Sequence, residues 1–117
     1  NLKYYKMSKP YYIDEDLKKF GEITEWQKEL GEKYFDYYAS VFKEGALTER
    51  EKALIALAVS HVVHCPYCID AYSKDCIKKG CDEEQMMEAV HVGAAIQSGA
   101  TLVHGVQMMN KVKDISM

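Results

Sequence analysis

The sequence predicts an all-α protein, and two observations support that prediction. Residues typical of helix starts and helix ends recur along the 117-residue chain, while alternating strand patterns and Asn-Gly or Asp-Gly hairpin turns are missing. Apolar residues make up 48% of the chain and charged residues 28%, which is the composition of a folded globular protein. We therefore expect about six helices and almost no sheet.

The size of the chain favours a single domain over residues 1–117. A domain this small buries only about two thirds of the surface that its unfolded chain exposes, so oligomerisation would stabilise it. The formal net charge is -3 and Lys and Arg form no patch, which gives no reason to expect nucleic acid or a membrane surface as a partner. The longest apolar stretch, residues 53–63, is shorter than the roughly 20 residues that span a bilayer.

The amino-terminal segment lacks the apolar core and small residues of a secretory signal. Because the chain begins at Asn1, we treat residues 1–6 as a disordered, processed or tag-derived start, with Met7 a candidate native start. Four cysteines without a secretory signal favour catalytic or metal-binding thiols over a structural disulfide framework. This predicts a cytoplasmic location.

The first helices are predicted from capping patterns. A short helix is expected at residues 14–20, and Thr24 with Gln27 fits a capping box that opens an amphipathic helix ending near Gly45. The apolar side chains of this second helix form an aromatic stripe, which indicates a core or a subunit interface. The stripe consists of Trp26, Leu30, Tyr34, Tyr37, Tyr38 and Val41.

The next helix should be central and buried. Thr48 with Glu51 fits a second capping box, and residues 49–63 are apolar on nearly every face. Pro66 then disfavours helical geometry at the preceding cysteine and suits the first position of a new helix. The chain should therefore break there and restart.

A fourth helix should run from Pro66 to about Lys79, where Gly80 provides a left-handed cap. Asp82 with Gln85 fits a third capping box and predicts a fifth helix over residues 83–98. A sixth helix should follow over residues 101–112, separated from the fifth or kinked against it by Gly99.

The most informative motif for function is the dithiol Cys-Pro-Tyr-Cys at residues 65–68. If Cys65 caps the fourth helix, Cys68 lies about one turn further on, so the two sulfurs can form a local disulfide. The positive end of the helix dipole favours the thiolate, which is the form that attacks peroxides and disulfides. The motif thus predicts a redox-active centre.

Two side chains near the dithiol are candidates for moving its protons. His61 precedes Cys65 by four residues and is the first candidate for a general base. The alternative for His61 is a hydrogen-bonded residue at a helix end with no catalytic part. Tyr72 lies one turn after Cys68 on the same helical face, where it could position a proton or a water.

The other cysteines and histidines favour structural interpretations. Cys76 should pack apolarly or act as a third thiol, and Cys81 should lie in a loop. A zinc site would need a second pair beside the dithiol, either Cys76 with Cys81 or His61 with His64, and nothing else there resembles a zinc knuckle. Two histidines among small and apolar residues are expected to be buried and hydrogen-bonded, namely His91 and His104.

The segment LTEREKALIALAVS at residues 47–60, followed by the dithiol, resembles the alkylhydroperoxidase D-like branch of the carboxymuconolactone decarboxylase superfamily. The resemblance covers about residues 47–109, which would form the core of the fold. Further segments are similar to a subgroup described as arsenosugar-biosynthesis-associated peroxidase-like proteins, namely residues 16–23, 64–72 and 88–95.

The resemblance implies an all-α fold that assembles as a homotrimer or homohexamer, requires no cofactor and places the dithiol near a subunit contact. In relatives that reduce peroxides, the second cysteine attacks, becomes a sulfenic acid and is resolved by the first. Carried over, Cys68 attacks and Cys65 resolves, and an external dithiol reopens the disulfide.

The chain departs from this family pattern at two positions. The family's active enzymes carry a histidine four residues after the second cysteine and a glutamate before the Leu-Ile of the buried helix, whereas this chain has Tyr72 and Ala53. Our hypothesis is that His61, on the same helix as Ala53, replaces this proton relay with help from Tyr72.

Functions from different classes therefore stay open. The first is a thiol-dependent peroxidase or disulfide oxidoreductase that acts on a hydroperoxide or a small disulfide. The second is a binding protein for a soft metal or metalloid, with Cys65, Cys68 and Cys76 as ligands. A lactone decarboxylase has no use for a dithiol, and the last alternative is a helical assembly protein with a vestigial site.

Overall fold

The computed structural model describes residues 10–117, and the proposed tag-derived start at residues 1–6 and Met7 lies outside that range. The described part contains one 3₁₀ segment and five α-helices without a strand, which confirms the predicted all-α fold. The elements are the 3₁₀ segment Asp14–Glu22, α1 Ile23–Trp26, α2 Lys28–Phe42, α3 Glu49–Val62, α4 Pro66–Lys78 and α5 Glu83–Ser116. None of these helices combines the length and apolar character needed to cross a membrane.

The chain divides into two compact units between Glu49 and Arg50. In the first unit, the 3₁₀ segment lies where a short helix was predicted. Its Phe20 contacts part of the aromatic stripe of α2. The Phe20 ring makes edge-to-face contacts with three rings of α2, those of Phe35, Tyr34 and Tyr38, at centroid distances of 5.1, 6.0 and 6.4 Å. Such contacts stabilise the packing of the segment on the helix.

The capping box predicted at Thr24 and Gln27 is wrong. Thr24 Oγ1 donates a hydrogen bond to the Gly21 carbonyl, and α2 begins only at Lys28, with no side-chain cap at Gln27. The reason is a close approach of α1 and α2, because a Cβ on the buried Gly31 would lie 2.8 Å from Thr24 Cα. This tertiary contact fixes the break between the two helices.

Helix α2 ends earlier than predicted, and α3 begins where predicted. Helix α2 stops at Phe42 because Lys43 takes an extended conformation, so Gly45 lies in the connection and does not cap the helix. Helix α3 starts at Glu49, directly after Thr48. The capping pattern at Thr48 therefore predicts the start of α3, whereas Gly45 does not predict the end of α2.

The core of the second unit lies between α3 and α4. Ala53 and Leu57 of α3 form one buried cluster with Cys76 of α4 and with Cys81, which follows α4. The predicted burial of α3 holds for most of its apolar residues within the single chain, but Ile55 and Val59 are 50% and 51% exposed. These two exposed residues lie one turn apart on one stripe of α3, and the other apolar residues of the helix are buried or partly buried.

Helix α5 is continuous from Glu83 to Ser116, so the predicted fifth and sixth helices are one helix. Its start carries the predicted capping box, with Asp82 accepting from the Gln85 N–H at 2.8 Å and Gln85 accepting from the Asp82 N–H at 3.0 Å. No neighbouring atom lies within 4 Å of a Cβ built at Gly99, so no packing contact forces a break there. A glycine inside a helix costs only about 1 kcal/mol relative to alanine.

Helices α3 and α4 both end in a Schellman motif, in which a left-handed residue reverses the chain. At the end of α4 the Cys81 N–H bonds to the Cys76 carbonyl at 2.9 Å and the Gly80 N–H to the Ile77 carbonyl at 3.1 Å. Gly80 has a φ of 81°, which confirms the predicted left-handed cap. The motif places Cys76 and Cys81 side by side.

At the end of α3 the same pattern appears around the dithiol. The Cys65 N–H bonds to the Ser60 carbonyl and the His64 N–H to the His61 carbonyl, each at 3.1 Å. The left-handed residue is His64, with a φ of 55°, and it is the only residue other than glycine with a positive φ within residues 10–117. The turn into the dithiol therefore places a histidine where glycine is usual.

Candidate active site

The dithiol lies at the start of α4, as its spacing predicted. Cys65 is the N-cap in an extended conformation, and Pro66 occupies the first turn. The Cys65 sulfur accepts a hydrogen bond from the Cys68 N–H at 3.2 Å. The two cysteines are paired as a disulfide with their Cα atoms 5.3 Å apart, a separation within the range that disulfides require.

The helix start favours negative charge on the Cys65 sulfur. When the disulfide is reduced, the Cys68 N–H and the positive end of the α4 dipole would both stabilise a thiolate at the N-cap. Both cysteines are only partly buried, and their exposed parts are accessible to reagents from solvent. The arrangement can therefore carry out thiol–disulfide chemistry with a sulfur that is activated by the backbone alone.

His61 lies in the last turn of α3 and is partly buried. Its Nδ1 is 2.8 Å from the Leu57 carbonyl. Because a carbonyl only accepts, Nδ1 carries the hydrogen, and Nε2 of the neutral ring is left with the lone pair. Within residues 10–117 the ring makes no hydrogen bond to either sulfur of the dithiol, so the structure orients His61 without joining it to the thiols.

Tyr72 packs against the buried cluster of the second unit. That cluster contains Ala53, so the two positions at which the chain departs from the family pattern lie in one region of the core. Ala53 is fully buried and brings only a methyl group to this region. No carboxylate therefore reaches this region from position 53.

Cys76 and Cys81 form a second thiol pair of a different character. Cys76 is 0% exposed and Cys81 8%, and neither is in a disulfide. Burial raises the pKa of Cys76 to about 11, and the charge and hydrogen bond of Cys81 and the charge of Asp75 act in the same direction. The apolar packing predicted for Cys76 is confirmed, and Cys81 lies in a loop as predicted but is buried.

The remaining histidines differ from their predictions. His91 and His104 were predicted to be buried, but both are exposed on α5. Gly93 is the only buried residue of that helix. His64, which we considered only as half of a zinc pair, lies next to the dithiol with its Nε2 3.4 Å from Gln97 Nε2. The sequence signal for His64 is the absence of a glycine at the end of α3, directly before Cys65.

The metal site considered above depends on how the possible ligands are arranged. Over residues 10–117, no group of three or more His, Cys, Asp or Glu side chains is arranged to bind one. Cys76 lies eight residues after Cys68 on α4, which is a rise of about 12 Å along the helix axis. The three cysteines therefore cannot surround a single ion.

Comparisons with known proteins extend over most of the chain. A model of the carboxymuconolactone decarboxylase family matches residues 28–111. A Paracoccus denitrificans protein described as uncharacterized protein 4 in cox locus is 38% identical over 84 residues, which are 72% of this chain and 76% of that protein.

Solved structures resemble the chain over a similar length. A crystal structure from Methanobacterium thermoautotrophicum has 31% identity and a TM-score of 0.70, covering 74% of this chain and 97% of that one. A Thermotoga maritima protein of the carboxymuconolactone decarboxylase family, with a suggested part in an antioxidative response, has 22% identity and a TM-score of 0.54. That second likeness covers 73% of this chain and 91% of the other, and it concerns the fold alone.

Proposed function

Since this chain belongs to the carboxymuconolactone decarboxylase family, we propose that it is a thiol-dependent peroxidase of the alkylhydroperoxidase D-like branch. The observation that carries the proposal is the Cys65–Cys68 pair, which is bonded as a disulfide at the start of α4. The antioxidative part suggested for the Thermotoga maritima protein is consistent with this function. The proposal extends to the arsenosugar-associated subgroup by the similarity of sequence described above, and the cysteine usage favours a cytoplasmic location.

The proposed cycle uses only the two cysteines as reacting groups. The Cys68 thiolate attacks the terminal oxygen of a hydroperoxide, the O–O bond breaks, and an alcohol leaves after it takes up a proton. The resulting Cys68 sulfenic acid is attacked by the Cys65 thiolate, which forms the disulfide and releases water after a second proton is taken up. An external dithiol then reduces the disulfide and restores both thiols.

The roles of the neighbouring side chains follow from their geometry. The N-cap hydrogen bond keeps Cys65 available as the thiolate that closes the disulfide. In our proposal His61 Nε2 accepts the proton of the attacking thiol, because Nδ1–H is held by Leu57, and Tyr72 assists from the next turn of α4. A base must approach the sulfur to act, so His61 would have to reach the thiol in the reduced protein.

The test of this function is peroxide consumption with dihydrolipoamide as the reductant. We expect turnover by the wild-type protein. In Cys68→Ser the rate of peroxide consumption should fall by about 100-fold or more, because the variant lacks the nucleophile. Cys65→Ser should complete one attack and stop as a sulfenic acid, which a dimedone label would detect. Cys81→Ser is the matched control because it removes a thiol outside the motif, and equal rates in wild type and Cys68→Ser would contradict the proposal.

The alternative is a binding protein for a soft metal or metalloid. Its three-cysteine form is disfavoured by the distance between Cys68 and Cys76 along α4, which leaves only Cys65 and Cys68 as ligands. Native mass spectrometry of the reduced protein with arsenite or zinc would test this alternative. A stoichiometric adduct without peroxide turnover would favour binding over catalysis.

We also propose that the chain assembles as a homotrimer or homohexamer. Helix α5 leaves many large apolar side chains exposed within one chain, and such surfaces are typical of interfaces. They include Val92, Ile96, Leu102, Val103, Val106, Met108, Met109, Val112 and Ile115.

A further inference from the structure

The two Schellman motifs that flank α4 have the same hydrogen-bond pattern but different residues at the left-handed position. Gly80 occupies that position at the end of α4, and His64 occupies it at the end of α3. A Cβ atom disfavours the left-handed region, which is why glycine is the usual residue there. A histidine is uncommon at such a position, and the contact that its side chain makes distinguishes this helix end from the other.

The imidazole of His64 contacts a helix that is distant in the sequence. Its Nε2 lies 3.4 Å from the Gln97 Nε2 of α5. Because an amide nitrogen only donates, His64 Nε2 accepts, and the hydrogen of the neutral ring is on Nδ1. This contact connects the turn between α3 and α4 to α5 directly beside the dithiol.

The conformation of His64 also determines where the next residue lies. The Cys65 N–H completes the end of α3 by bonding to the Ser60 carbonyl, and the Cys65 sulfur caps α4 by accepting from the Cys68 N–H. A change in the torsions of His64 would therefore move the backbone and the sulfur of Cys65 together. We infer that His64 is a positioning residue for the dithiol: its imidazole, held against Gln97, fixes the place from which the Cys65 sulfur reacts.

This inference rests on the dithiol cycle proposed above, but only on the step that closes the disulfide. Oxidised glutathione isolates that step. One cysteine thiolate attacks it, forms a mixed disulfide and releases one glutathione thiolate. The second cysteine thiolate then attacks the mixed disulfide, forms the Cys65–Cys68 bond and releases the second glutathione thiolate. No peroxide takes part, so the closing step is measurable whatever the peroxidase activity.

The experiment follows the mixed disulfide by acid quenching and mass spectrometry in the full chain. We expect His64→Gly and Gln97→Ala each to slow closure about tenfold, since a misplacement of about 1 Å can cost up to about 100-fold in rate. The double variant should be no slower than either single one, because both substitutions remove the same contact. His64→Gly should unfold at the same temperature as wild type or higher, because glycine suits the left-handed position.

Gly80→Asn is the matched control. It puts a side chain at the equivalent position of the other helix end, where a Cβ meets nothing within 4 Å, and it should lower the melting temperature without slowing closure. Closure at the wild-type rate in His64→Gly, or slowing by Gly80→Asn as large as that by His64→Gly, would overturn the inference. If peroxide consumption is absent but His64→Gly still slows closure, the peroxidase proposal fails and the positioning role stands.

Discussion

At the scale of single residues, the chain contains two pairs of cysteines with opposite environments. Cys65 and Cys68 are partly exposed at the start of a helix, where the backbone favours a thiolate. Cys76 and Cys81 are buried at its end, where burial raises the pKa of Cys76 to about 11. The same residue type therefore serves as a reactive group at one end of α4 and as a packing group at the other.

The buried thiol of Cys76 predicts a loss of stability at high pH. Its pKa rises from 9.0 to about 11 on folding, so the folded protein keeps the proton over a pH range in which the unfolded chain releases it. The stabilisation is complete below pH 9 and is lost as the pH rises through 11, with an upper limit of about 2.7 kcal/mol from 1.36 kcal/mol per pKa unit. Urea unfolding under reducing conditions would measure this loss.

Cys76→Ala is the reference for that measurement. All other titrating groups near this site, including Cys81, Asp75 and Lys79, are retained in the variant. The free energy of unfolding should therefore fall more steeply between pH 8.5 and 11 in wild type than in Cys76→Ala. Parallel curves for the two proteins would show that Cys76 does not hold its proton in this way.

At the scale of helices, the sequence predicted boundaries correctly where neighbouring groups in the sequence decide them. The capping box at Asp82 and the restart at Pro66 were correct because the groups involved lie within four residues of each other. The box at Thr24 failed because the contact with Gly31, which depends on how α1 and α2 pack, decides the break. A local pattern cannot contain a contact between helices.

The site shows the same limit. Its cysteines and their place at a helix start followed from the spacing of two thiols and one proline. The left-handed His64 did not, because capping rules expect glycine there and a contact with Gln97 depends on the tertiary fold.

The buried cluster between α3 and α4 allows a test of the altered proton relay. Ala53→Glu alone should destabilise the protein by about 3 kcal/mol or more, because an unpaired carboxylate would be buried in a fully covered position. Adding Tyr72→His gives the carboxylate a partner, so the double variant should recover part of the stability and consume peroxide faster than wild type.

Urea unfolding and peroxide consumption should be measured on the same four proteins: wild type, both single variants and the double variant. Tyr72→His alone is the control for the change at position 72. Strictly additive effects on both stability and rate would mean that the two positions do not act as a pair.

At the scale of the whole molecule, the exposed apolar side chains of α5 predict an interface. Leu102 and Val106 are 73% and 58% exposed and lie one turn apart on the same face. Leu102→Glu with Val106→Glu would bury two unpaired charges in such an interface, so we expect the assembly to dissociate to monomers in light scattering.

The matched control is Gln107→Glu, which adds a charge at an exposed polar position of the same helix. This variant should keep the mass of the wild-type assembly. A monomeric wild-type protein would contradict the predicted oligomer directly, and an intact double-glutamate variant would place the interface elsewhere.

The hydrogen bond from the Cys68 amide to the Cys65 sulfur has a further consequence for spectroscopy. A thiolate, a thiol and a disulfide sulfur accept a hydrogen bond with different strength, so the amide proton of Cys68 senses the chemical state of its neighbour. In a ¹⁵N-labelled sample, the chemical shift of this one amide would follow the oxidation of the protein in real time. The helix start thus provides a built-in reporter that needs no chemical modification of either thiol.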